Sequence, residues 1–152
     1  MPETTDGPLQ AGAAVVDITP PQDCLLAGGA FGRSNGVLHR LQARVLVLEV
    51  AGRRQLLVSC DLLGFDNDLA DELRAVLATC CGTEPGAVLL AATHTHNGPV
   101  TLSLRGGWGE PDPAYRQQLR DALLDAAGRA VAALRPARLA AGTSACPGLK
   151  RN

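Results

Sequence analysis

The sequence predicts an α/β fold in which a mixed β-sheet carries helices packed on it. Strand-like and helix-like segments alternate in the order β, β-β, α, β, α, β, which is typical of a layered α/β domain. Residues 43–50 and 55–61 are nearly apolar throughout and are separated by a short turn, which predicts a hairpin in a sheet covered on both faces. Residues 65–82 and 112–136 carry apolar side chains at helical spacing, which predicts two helices.

The chain before the hairpin is predicted to form a tail, a strand and a loop. Residues 1–10 are predicted to be a flexible tail, and residues 11–152 to be the folded part. A strand over 11–19 should end where Pro20 begins a pair of prolines, because proline has no N–H to donate to the sheet. The segment 22–36 contains four glycines, and a loop this long in a compact domain is usually functional or mobile.

The two helices carry recognisable end signals. Asp66 or Asn67 can cap the first helix, and Gly82 suits the left-handed position after its end. Asp112 is placed to cap the second helix, directly before a proline at its first position. The apolar stripe of the first helix is expected to consist of Leu69, Leu73, Val76, Leu77 and Cys80. Two more strands are predicted, over 86–96 and 137–143.

The composition excludes several classes of protein. The net charge is −1 and the arginines are spread along the chain, which argues against a nucleic-acid partner. No apolar run reaches the roughly 18 residues of a membrane span, and the polar N-terminus lacks the features of a signal peptide. The protein is therefore expected to be cytoplasmic as written, or secreted or periplasmic if a leader is missing. Five cysteines without a signal peptide predict free thiols rather than a disulfide framework.

The motif with the clearest chemistry is "THTHNGP", where His94 and His96 follow an apolar run. In an extended strand alternate side chains share a face, so both imidazoles would point the same way. Neutral imidazole is a good zinc ligand, and sites in open α/β sheets gather at the carboxyl ends of strands. A bare pair is nevertheless more often structural than catalytic, so the spacing alone leaves both interpretations open.

Two familiar classes of metallohydrolase do not fit this motif. Metallo-β-lactamase-like hydrolases follow the histidine pair with an aspartate two residues later, and here Gly98 occupies that place. TIM-barrel amidohydrolases carry the pair at the end of their first strand, whereas three predicted strands and a helix precede it here.

A wider set of sequence blocks resembles the N-terminal part of the neutral/alkaline (non-lysosomal) ceramidase family. The resemblance extends over nearly the whole chain from about residue 11, and the order and spacing of the blocks agree. Its most specific block matches the family's Thr-His-Thr-His-Ser-Gly-Pro signature, with Asn97 in place of serine. The blocks are "GAAVVDITPP", "GVLHRLQARVLVLEV", "LLVSCDLLG", "VLLAATHTHNGP", "PDPAYRQQL" and "LRPARLAAG".

This resemblance implies a zinc-dependent amidohydrolase that cleaves ceramide into sphingosine and a fatty acid. It implies that His94 is a zinc ligand and that His96 polarises or protonates groups around the reacting amide. Asp61, at the end of a strand, matches an acidic position of the family near the site. The resemblance gives Asp61 a supporting role, because ligating imidazoles usually need a carboxylate or carbonyl that fixes their tautomer.

The resemblance also implies that these residues hold only part of the active site. The family's other zinc ligands, a His, a Glu and a Tyr, come from much later in a longer chain. No histidine follows His96, and Tyr115 lies in a helix and does not match the family's ligand. We therefore expect a portion of a larger catalytic domain that needs a missing C-terminal portion or another chain.

Two alternatives stay open at the level of the sequence. The chain could be a non-catalytic binding or assembly module that keeps the fold, or a hydrolase of another amide or ester. The third histidine, His39, precedes a strand and is expected to have a surface or hydrogen-bonding role, or else to line the mouth of the site.

Overall fold

The computed structural model describes residues 7–21, 23–28, 32–103 and 109–145. Both predicted helices and the predicted hairpin are present in this part of the chain. Its elements are β1 (Gln10–Asp17), β2 (Leu26–Ala27), β3 (Gln42–Val50), β4 (Arg53–Cys60), α1 (Asn67–Cys81), a short 3₁₀ turn (Pro85–Ala87), β5 (Val88–Ala92), β6 (Gly98–Pro99), α2 (Pro113–Ala132) and β7 (Arg135–Pro136).

The main sheet is mixed, which confirms the predicted fold class. Its strand order is β5-β4-β3-β1-β7. The β4–β5 pair is parallel, and the other neighbouring strands in this sheet are antiparallel. A parallel pair needs a crossover connection, and α1 with the 3₁₀ turn supplies it between β4 and β5. The strands β2 and β6 form a separate two-stranded sheet beside the main one.

The β3–β4 hairpin is closed by a two-residue turn. Ala51 and Gly52 have φ angles of +49° and +76°. Two successive left-handed residues are the feature of the type I′ turn, whose twist matches that of the flanking strands. The turn therefore sets a register in which Leu46 faces Leu57 and Val45 faces Val58.

The core lies between one face of the sheet and the two helices. Alternate residues of the central strands point into it, as the twofold period of a strand requires. Residues of the two helices cover the core on the side away from the sheet. Helix α2 packs against β1 and β3, and α1 packs against α2 and β5. Its largest members are Ile18, Val45, Val47, Leu56, Val58, Leu62, Leu69, Leu73, Leu77, Leu119 and Leu123, all essentially inaccessible to solvent.

The second helix approaches the sheet most closely at Gly12. A β-carbon built on Gly12 would lie 2.1 Å from the carbonyl oxygen of Ala130 and 2.9 Å from the backbone nitrogen of Leu134. Small residues on the facing side of α2, Ala126, Ala127 and Ala130, are fully buried. The backbones of α2 and β1 can come this close at Gly12 only because neither element has a large side chain at the contact.

The opposite face of the sheet is apolar and uncovered in the described part of the chain. The strand register places Ala13, Leu46, Leu57 and Leu89 in one row across four neighbouring strands. The exposed fraction is 39% for Leu57 and 60% for Leu89, and Val15 on the same face is 50% exposed. The expectation of a sheet covered on both faces is therefore met on the helical face only.

Most predicted helix ends are confirmed. The side chain of Asp66 accepts a hydrogen bond from the Leu69 N–H, and Asp112 caps α2 by accepting from the Ala114 N–H. Gly82 follows α1 with a left-handed φ of +63°. The predicted stripe was wrong at Cys80, which is exposed, because the four-residue step from Leu69, Leu73 and Leu77 leads to the buried Cys81.

The final predicted strand, 137–143, was wrong. Of the described chain after α2, only Arg135 and Pro136 pair with β1. The Ala137 N–H then donates to the Leu9 carbonyl. In this antiparallel register the chain after Ala137 runs past the beginning of β1, so no strand is left beside it. Of the predicted tail, residues 1–6 lie outside the described residues, while Gln10 already belongs to β1.

The described cysteines are free thiols, as predicted. Cys60 and Cys81 are buried, Cys24 is half-buried and Cys80 is exposed, while Cys146 lies outside the described residues. Burial, with a smaller contribution from the charge of Asp61, raises the pKa of Cys60 to about 12. A thiol with this pKa stays protonated and behaves as a small core side chain. Within the described residues, no helix is long and apolar enough to cross a membrane.

The close approach at Gly12 predicts a large effect of adding one methyl group. We expect Gly12→Ala to lower the free energy of unfolding by about 3 kcal/mol or more, because the new β-carbon meets backbone that cannot move away cheaply. Gly86→Ala is the matched control, since a β-carbon there meets no atom within 4 Å. Urea denaturation of both variants checks this, and equal midpoints would contradict the proposed packing.

Candidate metal and proton-transfer site

The histidine segment lies where two parallel strands end side by side. The strand β4 ends at Cys60 and β5 ends at Ala92, and these two residues face each other in the register. Hydrogen bonds continue beyond both strands, from the Thr93 N–H to the Cys60 carbonyl at 3.0 Å and from the His94 N–H to the Leu62 carbonyl at 3.0 Å. The segment is thus placed at the carboxyl edge of the sheet, as the position of the motif predicted.

The backbone leaves the extended conformation at His94. Its φ angle is +64°, a left-handed value that is unusual for a residue with a β-carbon. The prediction of one strand over 86–96 was therefore wrong beyond Ala92, and strand alternation does not determine where the two imidazoles point. The physical reason is that both the N–H and the ring of His94 bond to the turn after β4. Such strained residues cluster at functional sites.

The imidazole of His94 is oriented by a backbone carbonyl. Its Nδ1 atom lies 2.9 Å from the carbonyl oxygen of Leu63. A carbonyl oxygen can only accept, so Nδ1 carries the proton in this contact and the lone pair of a neutral ring is on Nε2. Metal-ligating histidines typically donate their other ring N–H to a carbonyl or carboxylate. The residue is exposed, and this arrangement fits a zinc ligand.

The imidazole of His96 is also oriented by a backbone carbonyl, from the loop after β2. Its Nδ1 atom lies 3.1 Å from the carbonyl oxygen of Gly28. The centroids of the two imidazoles are 5.0 Å apart and their planes meet at 77°. Among the described residues, neither Nε2 atom has a hydrogen-bond partner. The pair therefore combines two neighbouring rings that are fixed at Nδ1 and open at Nε2.

Asp61 is at the end of β4 and its carboxylate bonds to β3. Oδ2 accepts from the Gln42 N–H at 3.0 Å, and Oδ1 lies 3.3 Å from the guanidinium of Arg44. In the described structure the carbonyl of Leu63, rather than Asp61, fixes the imidazole of His94. A direct role of Asp61 beside the histidines stays a prediction, while its contacts here secure the start of β3 against the end of β4.

The described residues do not assemble a complete metal site. No group of three or more His, Cys, Asp or Glu side chains that could hold a metal ion occurs in this part of the chain. A catalytic zinc needs about three protein ligands and an open position for water. His94 can supply one of them, as the resemblance implied. Tyr115 cannot supply another in this conformation, because it is buried and its hydroxyl donates to the Ile18 carbonyl at 2.7 Å.

A cleft of about 560 Å³ is lined in part by the histidine segment. Thr95 and Asn97, which alternate with the two histidines, line it, and so does His39, which precedes β3. Neither His94 nor His96 is among the residues that line this cleft, so a place at the mouth of the site stays a prediction for His39. Its side chain is exposed, so a surface role is equally compatible with its surroundings.

Sequence reasoning missed the two groups that orient the histidines. Leu63 and Gly28 act through backbone carbonyls, which every residue has, so no residue type marks them. The only signal was the concentration of glycines over 22–36, which indicated a functional loop without showing which residue in it mattered. The left-handed backbone at His94 has no sequence signal either, because it results from contacts with another strand end.

Comparison with known proteins identifies the fold. No protein-family model and no curated protein matched the sequence. The structure is similar to the crystal structure of neutral ceramidase from Pseudomonas aeruginosa, with a TM-score of 0.68 and 28% sequence identity over 86% of this chain. It is similar to a structure described as ceramidase complexed with C2, with a TM-score of 0.68 and 27% identity.

The match covers 22% of each ceramidase chain, so this chain spans about a fifth of their length. The matched part of this chain contains the mixed sheet and the two helices packed on it. The chain therefore has the fold of a neutral ceramidase-like region, an α/β structure that matches a fragment of the longer ceramidase chains.

Proposed function

We propose that this chain forms part of a zinc-dependent hydrolase that cleaves an N-acyl amide, most simply ceramide, into sphingosine and a fatty acid. One observation supports this above all others. In a ceramidase-like fold, His94 donates from Nδ1 to the Leu63 carbonyl and leaves Nε2 open, which is the arrangement of a metal-bound imidazole.

Each residue of the site has a distinct role in this proposal. His94 holds the metal through Nε2. Zinc, when bound, lowers the pKa of a water molecule and polarises the amide carbonyl. His96, with its ring centroid 5.0 Å from that of His94, holds or transfers a proton at its Nε2 atom and passes it to the leaving amine. Asp61 supports the site from the end of β4, where it binds Gln42 and Arg44.

The proposal requires further ligands from polypeptide beyond the described residues. The uncovered face of the sheet, defined by Ala13, Leu46, Leu57 and Leu89, is a suitable contact surface for it. A contiguous exposed apolar patch usually marks a surface that another polypeptide covers. Because the match covers 22% of the ceramidase chains, we propose that the partner resembles the rest of a ceramidase domain.

A second candidate is a non-catalytic binding or assembly module. The incomplete metal-ligand set of the described residues and the apolar open face favour it. A hydrolase of a different amide or ester would share the same histidine geometry. These possibilities differ in whether the completed domain binds zinc and in which bond it cleaves, so one experiment separates them.

A chimera tests the proposed function. We expect the Pseudomonas aeruginosa neutral ceramidase, with its matching region replaced by this chain, to bind zinc and to hydrolyse an N-acylsphingosine. His94→Gln should remove the zinc, because it removes a ligand. His96→Gln should keep the zinc but lower kcat by about 10²- to 10⁴-fold, the usual contribution of general acid–base catalysis. Zinc content by atomic absorption and product release by chromatography are the measurements.

Arg74→Gln is the control for the chimera, since Arg74 lies on α1 and bonds only to the neighbouring Asp71 within the described contacts. It should leave zinc content and kcat unchanged. A folded chimera that binds zinc without cleaving the N-acyl bond would refute the ceramidase proposal and favour another substrate. A folded chimera without zinc would favour the binding module.

The isolated 152-residue chain should bind zinc weakly. One imidazole cannot replace the several ligands of a catalytic zinc site, so we expect a Kd weaker than about 1 μM. Isothermal titration calorimetry with zinc chloride measures it directly. Sub-micromolar binding that disappears in His94→Gln would show that this chain assembles a site by itself, and the partial-site account would then be wrong.

A further inference from the structure

Both carbonyls that orient the histidines belong to one small part of the structure. A second apolar cluster, separate from the main core, consists of Ala27, Leu63 and Val100, with Leu25 and Leu102 packed against it. We call it the minor cluster. Leu63 itself accepts from His94, and the residue after Ala27 accepts from His96. The minor cluster therefore holds, or directly adjoins, the carbonyl group that orients each of the two histidines.

The acceptor for His96 is held in place by backbone pairing. Strand β2 pairs with β6 so that Leu26 faces Pro99 and Ala27 faces Gly98. The Val100 N–H adds a bond to the Leu25 carbonyl at 3.1 Å. Because β6 begins two residues after His96, this pairing brings the end of β2 directly against the imidazole.

The residue at the end of β2 has to be glycine for two independent reasons. Gly28 has a φ angle of +120°, which side-chain-bearing residues rarely adopt. A β-carbon built on it would also lie 2.5 Å from Cβ and 2.7 Å from Cα and Cγ of His96. These atoms belong to the backbone and the root of the histidine side chain, so they cannot move aside without displacing the ring.

We infer that Gly28 is a positioning residue that sets the tautomer and orientation of His96. Its carbonyl holds the proton of the neutral ring on Nδ1, so that Nε2 is the nitrogen that can accept and return a proton. The lack of a side chain allows the carbonyl to come within 3.1 Å of the ring. The use of this tautomer in catalysis rests on the proposed function, whereas the tautomer itself does not.

The tautomer can be measured directly in the 152-residue chain. The chain has three histidines, so a ¹⁵N-detected long-range correlation spectrum contains three ring systems, and His96→Gln identifies one of them by its loss. We expect His96 to be mainly the Nδ1–H tautomer when the spectrum is recorded at about pH 9, well above the pKa of about 6.5 of a free imidazole. His94 should show the same tautomer because of the Leu63 carbonyl.

Gly28→Ala should shift the His96 tautomer ratio toward Nε2–H by roughly 3- to 10-fold, the equivalent of one lost hydrogen bond. The ring of His94 should keep its tautomer in this variant, because its acceptor is on a different segment. Gly86→Ala, where the added β-carbon meets open space, is the control and should leave all three rings unchanged.

Two results would overturn the inference. One is a wild-type spectrum in which His96 is mainly Nε2–H, which decides the matter even if Gly28→Ala does not fold. The other is a folded Gly28→Ala chain whose His96 tautomer ratio equals that of the wild type. Neither result depends on zinc binding or hydrolysis, so failure of the chimera and failure of this inference can be told apart.

Discussion

The histidine site depends on the parallel pairing of β4 with β5, which continues as hydrogen bonds after both strands have ended. Thr93 donates its N–H group to Cys60, the last residue of β4, and His94 donates its N–H group to Leu62 in the turn that follows. The ring of His94 donates to the next carbonyl of that turn, that of Leu63. A parallel pair requires a crossover, and α1 provides it while burying its apolar stripe in the core. This pairing brings His94 to the carbonyls of Leu62 and Leu63, which bind its backbone N–H and its ring.

The sequence predicts the elements that depend on local side-chain signals. The caps at Asp66, Gly82 and Asp112 and the apolar stripe of α2 are such signals, and the location of the histidine pair at a strand end follows from the apolar run before it. The rest depends on contacts between distant segments. The left-handed backbone of His94 and the approach of Gly28 to His96 are set by pairing partners, which composition and periodicity do not reveal.

The structure has a well-supported interior and an open apolar face. On the helical side, Arg116 binds Asp66 at the start of α1, and the buried Thr101 donates to the Gly64 carbonyl at 2.7 Å. These contacts hold the turn that contains Leu63. On the other side, Leu57 and Leu89 face solvent in the described residues.

Native-state hydrogen exchange of the 152-residue chain tests most directly whether the β4–β5 pairing positions the histidines. The amides of Thr93 and His94 donate to the Cys60 and Leu62 carbonyls, so they should exchange nearly as slowly as the amides of the β4–β5 ladder. Exchange of the His94 amide at the rate of an unprotected loop would contradict the account, since the residue would then not be held at the strand ends.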